Sequence, residues 1–171
     1  MTAYTEALRP AVTPLLAEDE ELLLVTPVTT DGGTTEDVDV RDEVRNLAGV
    51  LLVAHPGELL RRATFGRAVR GPASATAARV HAAVDGRKGE SASLALTGRR
   101  LLLLAVTTTA ARGAVTYAVE PLLEVPRAAL TGAGRRGVVL RQRVVLHFAD
   151  GSSCALLVGL PSHARALVAA V

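Results

Sequence analysis

Gly132-Ala133-Gly134-Arg135-Arg136-Gly137 spells G-x-G-x-x-G, with Asp150 downstream where a dinucleotide fingerprint carries its acidic residue. That chemistry needs the glycine turn to run from a strand into a helix, whose first amides hold a pyrophosphate. Here the glycines lead into Val138-Val139-Leu140-Arg141, which is β-rich, so the stretch predicts a turn between strands and no cofactor site. The acidic run Glu36-Asp37-Val38-Asp39-Val40-Arg41-Asp42-Glu43 lacks the spacing of a calcium loop and has no histidine beside it. It predicts a charged loop feeding a short helix, and no metal is assigned. His55, His81, His147 and His163 stand in unrelated contexts and no G-x-S-x-G elbow is present, so no catalytic residue is assigned.

What remains is arginine. Arg99 and Arg100 fall in one turn, Arg135 and Arg136 in another, and Arg141 and Arg143 share a strand face. Turns converging on one rim would let their guanidinium forks grip phosphate or anionic headgroups bidentately. The competing reading is a set of solvated arginines in a chain whose only lysine is Lys88.

The 171 residues suit a single domain, and 49% hydrophobic residues supply ample core material. Aromatics are only 2%, so the core must be built from Ala, Val and Leu, and no stacking platform for single-stranded nucleic acid is available. A net charge of +2 does not ask for nucleic acid either. Cys154 stands alone within a strand and reads as a small buried hydrophobe. Glu6 sits where a signal peptide needs an apolar run, and no span reaches membrane-crossing length, so the reading is a cytoplasmic domain.

The elements that position these residues come mainly from 91–171. Asp150-Gly151 between two β-rich runs predicts a hairpin with a two-residue type I′ turn, pairing Ala149 with Ser152 and Leu146 with Ala155. That register puts Val144, Leu146 and Phe148 on the core face with Ala155 and Leu157. It leaves Val145, Leu156 and Val158 on the opposite face, beside Arg143, His147 and Cys154. A face that apolar is expected to be covered, or to be an interface. After it, Pro161 opens a helix with Ala164, Leu167, Val168 and Val171 on one stripe, suited to plug an open end of a bent sheet.

Upstream, residues 4–16 have helical spacing but carry Pro10 and Pro14, which predicts a short or kinked helix. Residues 22–28 read as a first strand. Residues 36–86 read as a helical insertion, with one helix over 58–69 and another capped by Ser74 and striped by Ala77, Val80, His81 and Val84. This block is the expected cover for the second sheet face. From Ser91, strands follow at 93–97, 100–106, 113–120 and 124–133, and Leu101-Leu102-Leu103-Leu104 predicts burial on both faces.

Leu94-Ala95-Leu96-Thr97-Gly98-Arg99-Arg100-Leu101-Leu102-Leu103 resembles the "alanine/leucine-threonine-x-x-arginine-leucine" hairpin of bacterial pleckstrin-homology-like (PH-like) domains. Glu124-Val125-Pro126-Arg127 is similar to their next strand, and Phe148-Ala149-Asp150-Gly151-Ser152 to their turn before the closing helix. The resemblance spans 91–171 with 22–28 as first strand, and implies an α+β fold: a seven-stranded half-open barrel capped by a C-terminal helix. The insertion at 36–86 departs from the compact family pattern. Members are binding or scaffolding modules, so the resemblance implies a non-enzymatic module for protein contact or self-association. The alternative is a peripheral membrane module that binds anionic headgroups through the arginine turns.

Overall fold

Leucine- and valine-rich segments of alternating pattern make β-strands when each side chain finds a wall on its own face. In the computed structural model, which describes residues 2–30, 68–85, 91–111, 114–135 and 142–171, eight such strands pair antiparallel in one unclosed sheet. The chain runs α1 (Ala3–Val12), a 3₁₀ turn (Thr13–Leu15), β1 (Leu22–Thr30), β2 (Val69–Arg70) and α2 (Thr76–Asp85). It continues through β3 (Ser91–Thr97), β4 (Arg100–Ala111), β5 (Ala114–Pro126), a 3₁₀ turn (Arg127–Ala129) and β6 (Leu130–Arg135). The hairpin β7 (Arg143–Phe148) and β8 (Ser153–Val158) and the helix α3 (Pro161–Ala170) complete it.

The strand order is β5-β4-β3-β1-β8-β7-β6, with β2 added beside β8. Two meanders are thus joined through β1 and β8, which pair only over Val28, Thr29 and Thr30. Before that point the two strands part, and the free main chain of β1 is met by helix α1. The Thr5 hydroxyl donates to Val25 O and accepts from Val25 N, both at 3.1 Å, so both main-chain groups of Val25 are satisfied there.

Two apolar clusters sit on the two faces of the sheet. The larger gathers Leu24, Leu94, Leu96, Leu101 and Leu103 with Val144, Leu146, Phe148 and Leu156, and receives Val80 and Val84 of α2 and Leu167 of α3. The smaller packs Leu8 and Val12 of α1 on Val25, Ala95, Leu102 and Leu104. The leucine run of β4 is buried on both faces, as its unbroken apolarity implies. The cover on the back of β1, β3 and β4 is α1, whereas α2 of the expected insertion packs into the main core.

Several boundaries differ from the sequence reading. The closing hairpin pairs Leu146 with Cys154 and Val144 with Leu156, one residue out of the expected register. Its loop has three residues: Phe148 N donates to Ser152 O and Gly151 N to Phe148 O, with Gly151 at φ 78°. A one-residue slip moves every side chain to the other face. Cys154, Leu156 and Val158 therefore join Val144, Leu146 and Phe148 in the main core, while Val145 and Ala155 occupy the opposite face. Residues 114–126 form one strand, not the end of one and the start of another, because β5 is the sheet edge. There the missing N–H of Pro121 costs no ladder bond. Gly132 and Gly134 lie within β6, not in a turn. Val69 and Arg70, expected to end a helix, instead pair with Cys154 and Ser153. The acidic run at 36–43, His55 and most of the expected insertion lie outside the described residues.

Candidate binding surfaces

The turn between β3 and β4 brings Arg99 and Arg100 next to the acidic lead-in before β1. Arg100 donates Nε and Nη2 to Glu20, Nη1 to Glu124 Oε2 at 2.7 Å, and Nη2 also to the Leu15 carbonyl at 3.0 Å. Glu20 in turn accepts from the Thr97 hydroxyl at 2.6 Å and the Ala17 amide at 3.1 Å. Only 1% of the Glu20 side chain and 21% of the Arg100 side chain are exposed, so this is a pair built into the structure. Hydrogen bonds from Arg100, opposed by burial and helped by Thr97 and Ala17, hold the Glu20 carboxyl at about 2. Arg99 pairs with Asp19 on the surface.

The second arginine pair does not join the first. Arg127 N donates to Arg99 O at 2.7 Å, which places the β3–β4 turn beside the start of β6. Arg135 is at the far end of β6, five steps of about 3.3 Å or roughly 17 Å along the strand. Arg135 is exposed there; Arg136 and Arg141 lie outside the described residues. Arg143 is buried in β7.

Of the expected interface face, Leu156 and Val158 are each 1% exposed within the main core, and Val145, 8% exposed, looks the other way. Cys154 is buried in the same core. His147 is exposed on β7, and His81 is buried on α2 with Ala77, Val80 and Val84.

His163, in the first turn of α3, has a built environment. Its Nδ1 lies 3.2 Å from the Thr26 hydroxyl, and its ring faces Tyr4 at a centroid distance of 6.3 Å. Burial pushes its pKa down, so the imidazole is kept neutral. Thr26 is fully buried, so its hydroxyl is closed to any substrate and the pair pins α3 to β1. The Tyr4 hydroxyl bonds Ser93 Oγ at 2.8 Å, and the Tyr4 pKa is raised by burial. Outside this contact, Tyr4, Pro27, Leu160 and His163 line a largely apolar groove of about 670 Å³. Among the described residues no cluster of three or more His, Cys, Asp or Glu could hold a metal ion.

The feature the sequence reading passed over is the outer part of the β4–β5 hairpin. Among the described residues β3 accompanies β4 as far as Val106, and beyond it Thr107, Thr108, Thr109 and Ala110 are exposed opposite Val115, Thr116, Tyr117 and Ala118. Val115 is 54% exposed, one of three large hydrophobic side chains so placed among the described residues. A legible signal was there: from Leu101 to Val119 the sequence carries a single charge, Arg112.

Comparison of the chain with protein-family models, curated proteins and solved structures gives no match. No helix among the described residues is long and apolar enough to cross a membrane.

Proposed function

We propose that the chain is a PH-like binding module, non-enzymatic, whose task is contact with protein. The fold supports this reading through its two antiparallel meanders bent around one core and its closing C-terminal helix. The observation that carries it is the edge of β5, open among the described residues, where residues 115–119 are exposed or half-buried and carry no charge. Natural sheets protect such edges with charge, irregularity or cover, because unpaired main-chain groups recruit further strands. The alternative, attachment to anionic headgroups, loses support at Arg100, whose donors are taken by Glu20, Glu124 and Leu15.

A photocrosslinking amino acid placed at Ala118 in living cells tests the reading. It is expected to trap protein. Parallel co-sedimentation with anionic and neutral vesicles, at low and high salt, is expected to show no salt-sensitive pelleting. Absence of any protein adduct, together with binding to anionic vesicles alone, overturns the proposal in favour of a membrane-surface module.

A further inference from the structure

Resting on the reading of β5 as a protein-contact edge, we propose that its occupant is β5 of a second copy, paired antiparallel about a twofold axis at Tyr117.

Three observations lead there. The first is which main-chain groups are free. Among the described residues β5 is the terminal strand of the sheet, so one side of its ladder is taken by β4 and no described strand pairs with the other. Pro121 has no N–H and its nitrogen belongs on the open side of an edge strand. Residues two, four and six positions earlier present their amides and carbonyls to that same side: Val119, Tyr117 and Val115. Two antiparallel copies of Tyr117 on a twofold axis would exchange both of their hydrogen bonds, and each Val115 would do so with a Val119.

The second is the window. Pro121 ends a run of donors on one side, and the β4–β5 turn ends the strand on the other. The strand between them is residues 114–120, whose central residue is Tyr117. The register of the pair follows from these two stops.

The third is side-chain chemistry, and it selects the partner. A strand that pairs with its own copy sets identical residues close together, so any charge near the axis would meet its like. Residues 114–119 carry none. A foreign partner would permit complementary charges here, and a protected edge would display them. Glu120 is the first charge, and in this register the two copies of it stand about six residues, or roughly 20 Å, apart. On the α1 side of the sheet, Val115, Tyr117 and Val119 of one copy would meet Val119, Tyr117 and Val115 of the other in a continuous apolar row. Tyr117 and Val119 already lean on the cluster under α1, while the exposed Val115 would gain its cover from the second copy. On the other side, exposed Thr116 would lie opposite exposed Ala118 of the partner copy.

The test uses the full chain in sedimentation velocity over a concentration series. The wild type is expected to form a dimer. Thr116→Lys with Ala118→Lys sets lysine against lysine twice, and is expected to weaken dimerisation roughly tenfold or more. Thr116→Lys with Ala118→Glu sets lysine against glutamate twice in the same register, and is expected to restore the dimer. Both positions are exposed and point away from the α1 cluster, so unchanged circular dichroism is the control for folding. A monomer at every concentration, a dimer indifferent to the two lysines, or no rescue by the lysine–glutamate pair each overturns the proposal. If the wild type is monomeric while a crosslinker at Ala118 traps a different protein, self-pairing falls and the protein-contact reading stands. If it traps nothing, both fall.

Discussion

Asp150 Oδ2 accepts the main-chain amide of Thr76 at 2.8 Å, across 74 positions of sequence. Beside it, Ser152 Oγ accepts the amide of Ala77 at 3.1 Å, so the turn of the closing hairpin caps the N-terminus of α2. The Ser152 hydroxyl and amide also bind the other oxygen of Asp150, and with the Thr76 amide they hold its carboxyl far below the usual carboxylate range.

Ser152→Ala, at a site only 2% exposed, leaves the Ala77 amide without this acceptor and is expected to cost about 1–2 kcal/mol. For a domain of this size that lowers Tm by roughly 3–6 °C, readable by calorimetry. Asp150→Ala is expected to speed hydrogen exchange at the Thr76 amide while β3 and β4 stay protected. Equal protection at Thr76 in variant and wild type would show that the cap does not hold the helix.

The Glu20–Arg100 pair predicts an acid limb of stability. The folded carboxyl titrates at about 2 against an ordinary 4.5, so between those values the unfolded chain takes up a proton that the folded chain refuses. This contribution is complete above pH 4.5 and is lost as pH falls through about 2. Glu20→Gln is expected to destabilise at pH 7 by about 2–3 kcal/mol, since it leaves the largely buried Arg100 with only Glu124 as a charged partner, and to flatten urea-measured stability across that window.

His163 acts in a different window with the same sign. Its folded pKa lies below 6.5, so as pH falls from about 6.5 the unfolded chain protonates first and the folded state loses ground. His163→Gln is expected to remove this slope near pH 6 and leave the Glu20 limb intact. A slope that persists in the variant would assign it to another group.

Arg99→Ala is expected to change stability by less than about 0.5 kcal/mol, because its pair with Asp19 is largely exposed on both sides. Arg127→Ala is a contrasting case. Its Nη2 donates to the carbonyls of Ala170 at 3.0 Å and Val171 at 2.6 Å, closing the C-terminal end of α3. Its loss is expected to cost about 1 kcal/mol and to raise exchange in the last turn of α3, measured by mass spectrometry.

Local pattern made much of the architecture legible. The apolar period of residues 161–171, the run Leu101-Leu102-Leu103-Leu104, the stripe Ala77, Val80, His81 and Val84, and the hairpin at Asp150-Gly151 each belong to an element that forms as its own residues direct. The hairpin register was not legible, since Asp-Gly suits both a two-residue loop and a three-residue loop with Gly151 at positive φ. The choice turns on which face is buried: the observed register places Leu156 and Val158 in the main core with Leu146. The sequence reading divides this stretch into strands at 113–120 and 124–133, whereas Pro121 lies within one strand, and its tolerance there depends on whether β5 has a neighbour on that side.

Arginine spacing alone allowed either a cationic rim or a set of solvated arginines, and the tertiary structure withdrew Arg100 from both by folding Glu20 against it from 80 positions away. By itself, then, the sequence determined most element types, the two-faced burial of β4 and the material of the core, because these depend on neighbours in the chain; Val69–Arg70 and Gly132–Gly134 became strand only through their distant partners. Register, the cap on α2, the partner of Arg100 and the open edge at β5 were decided only by tertiary structure. Each of these depends on which distant segment arrives alongside, and no local period encodes that.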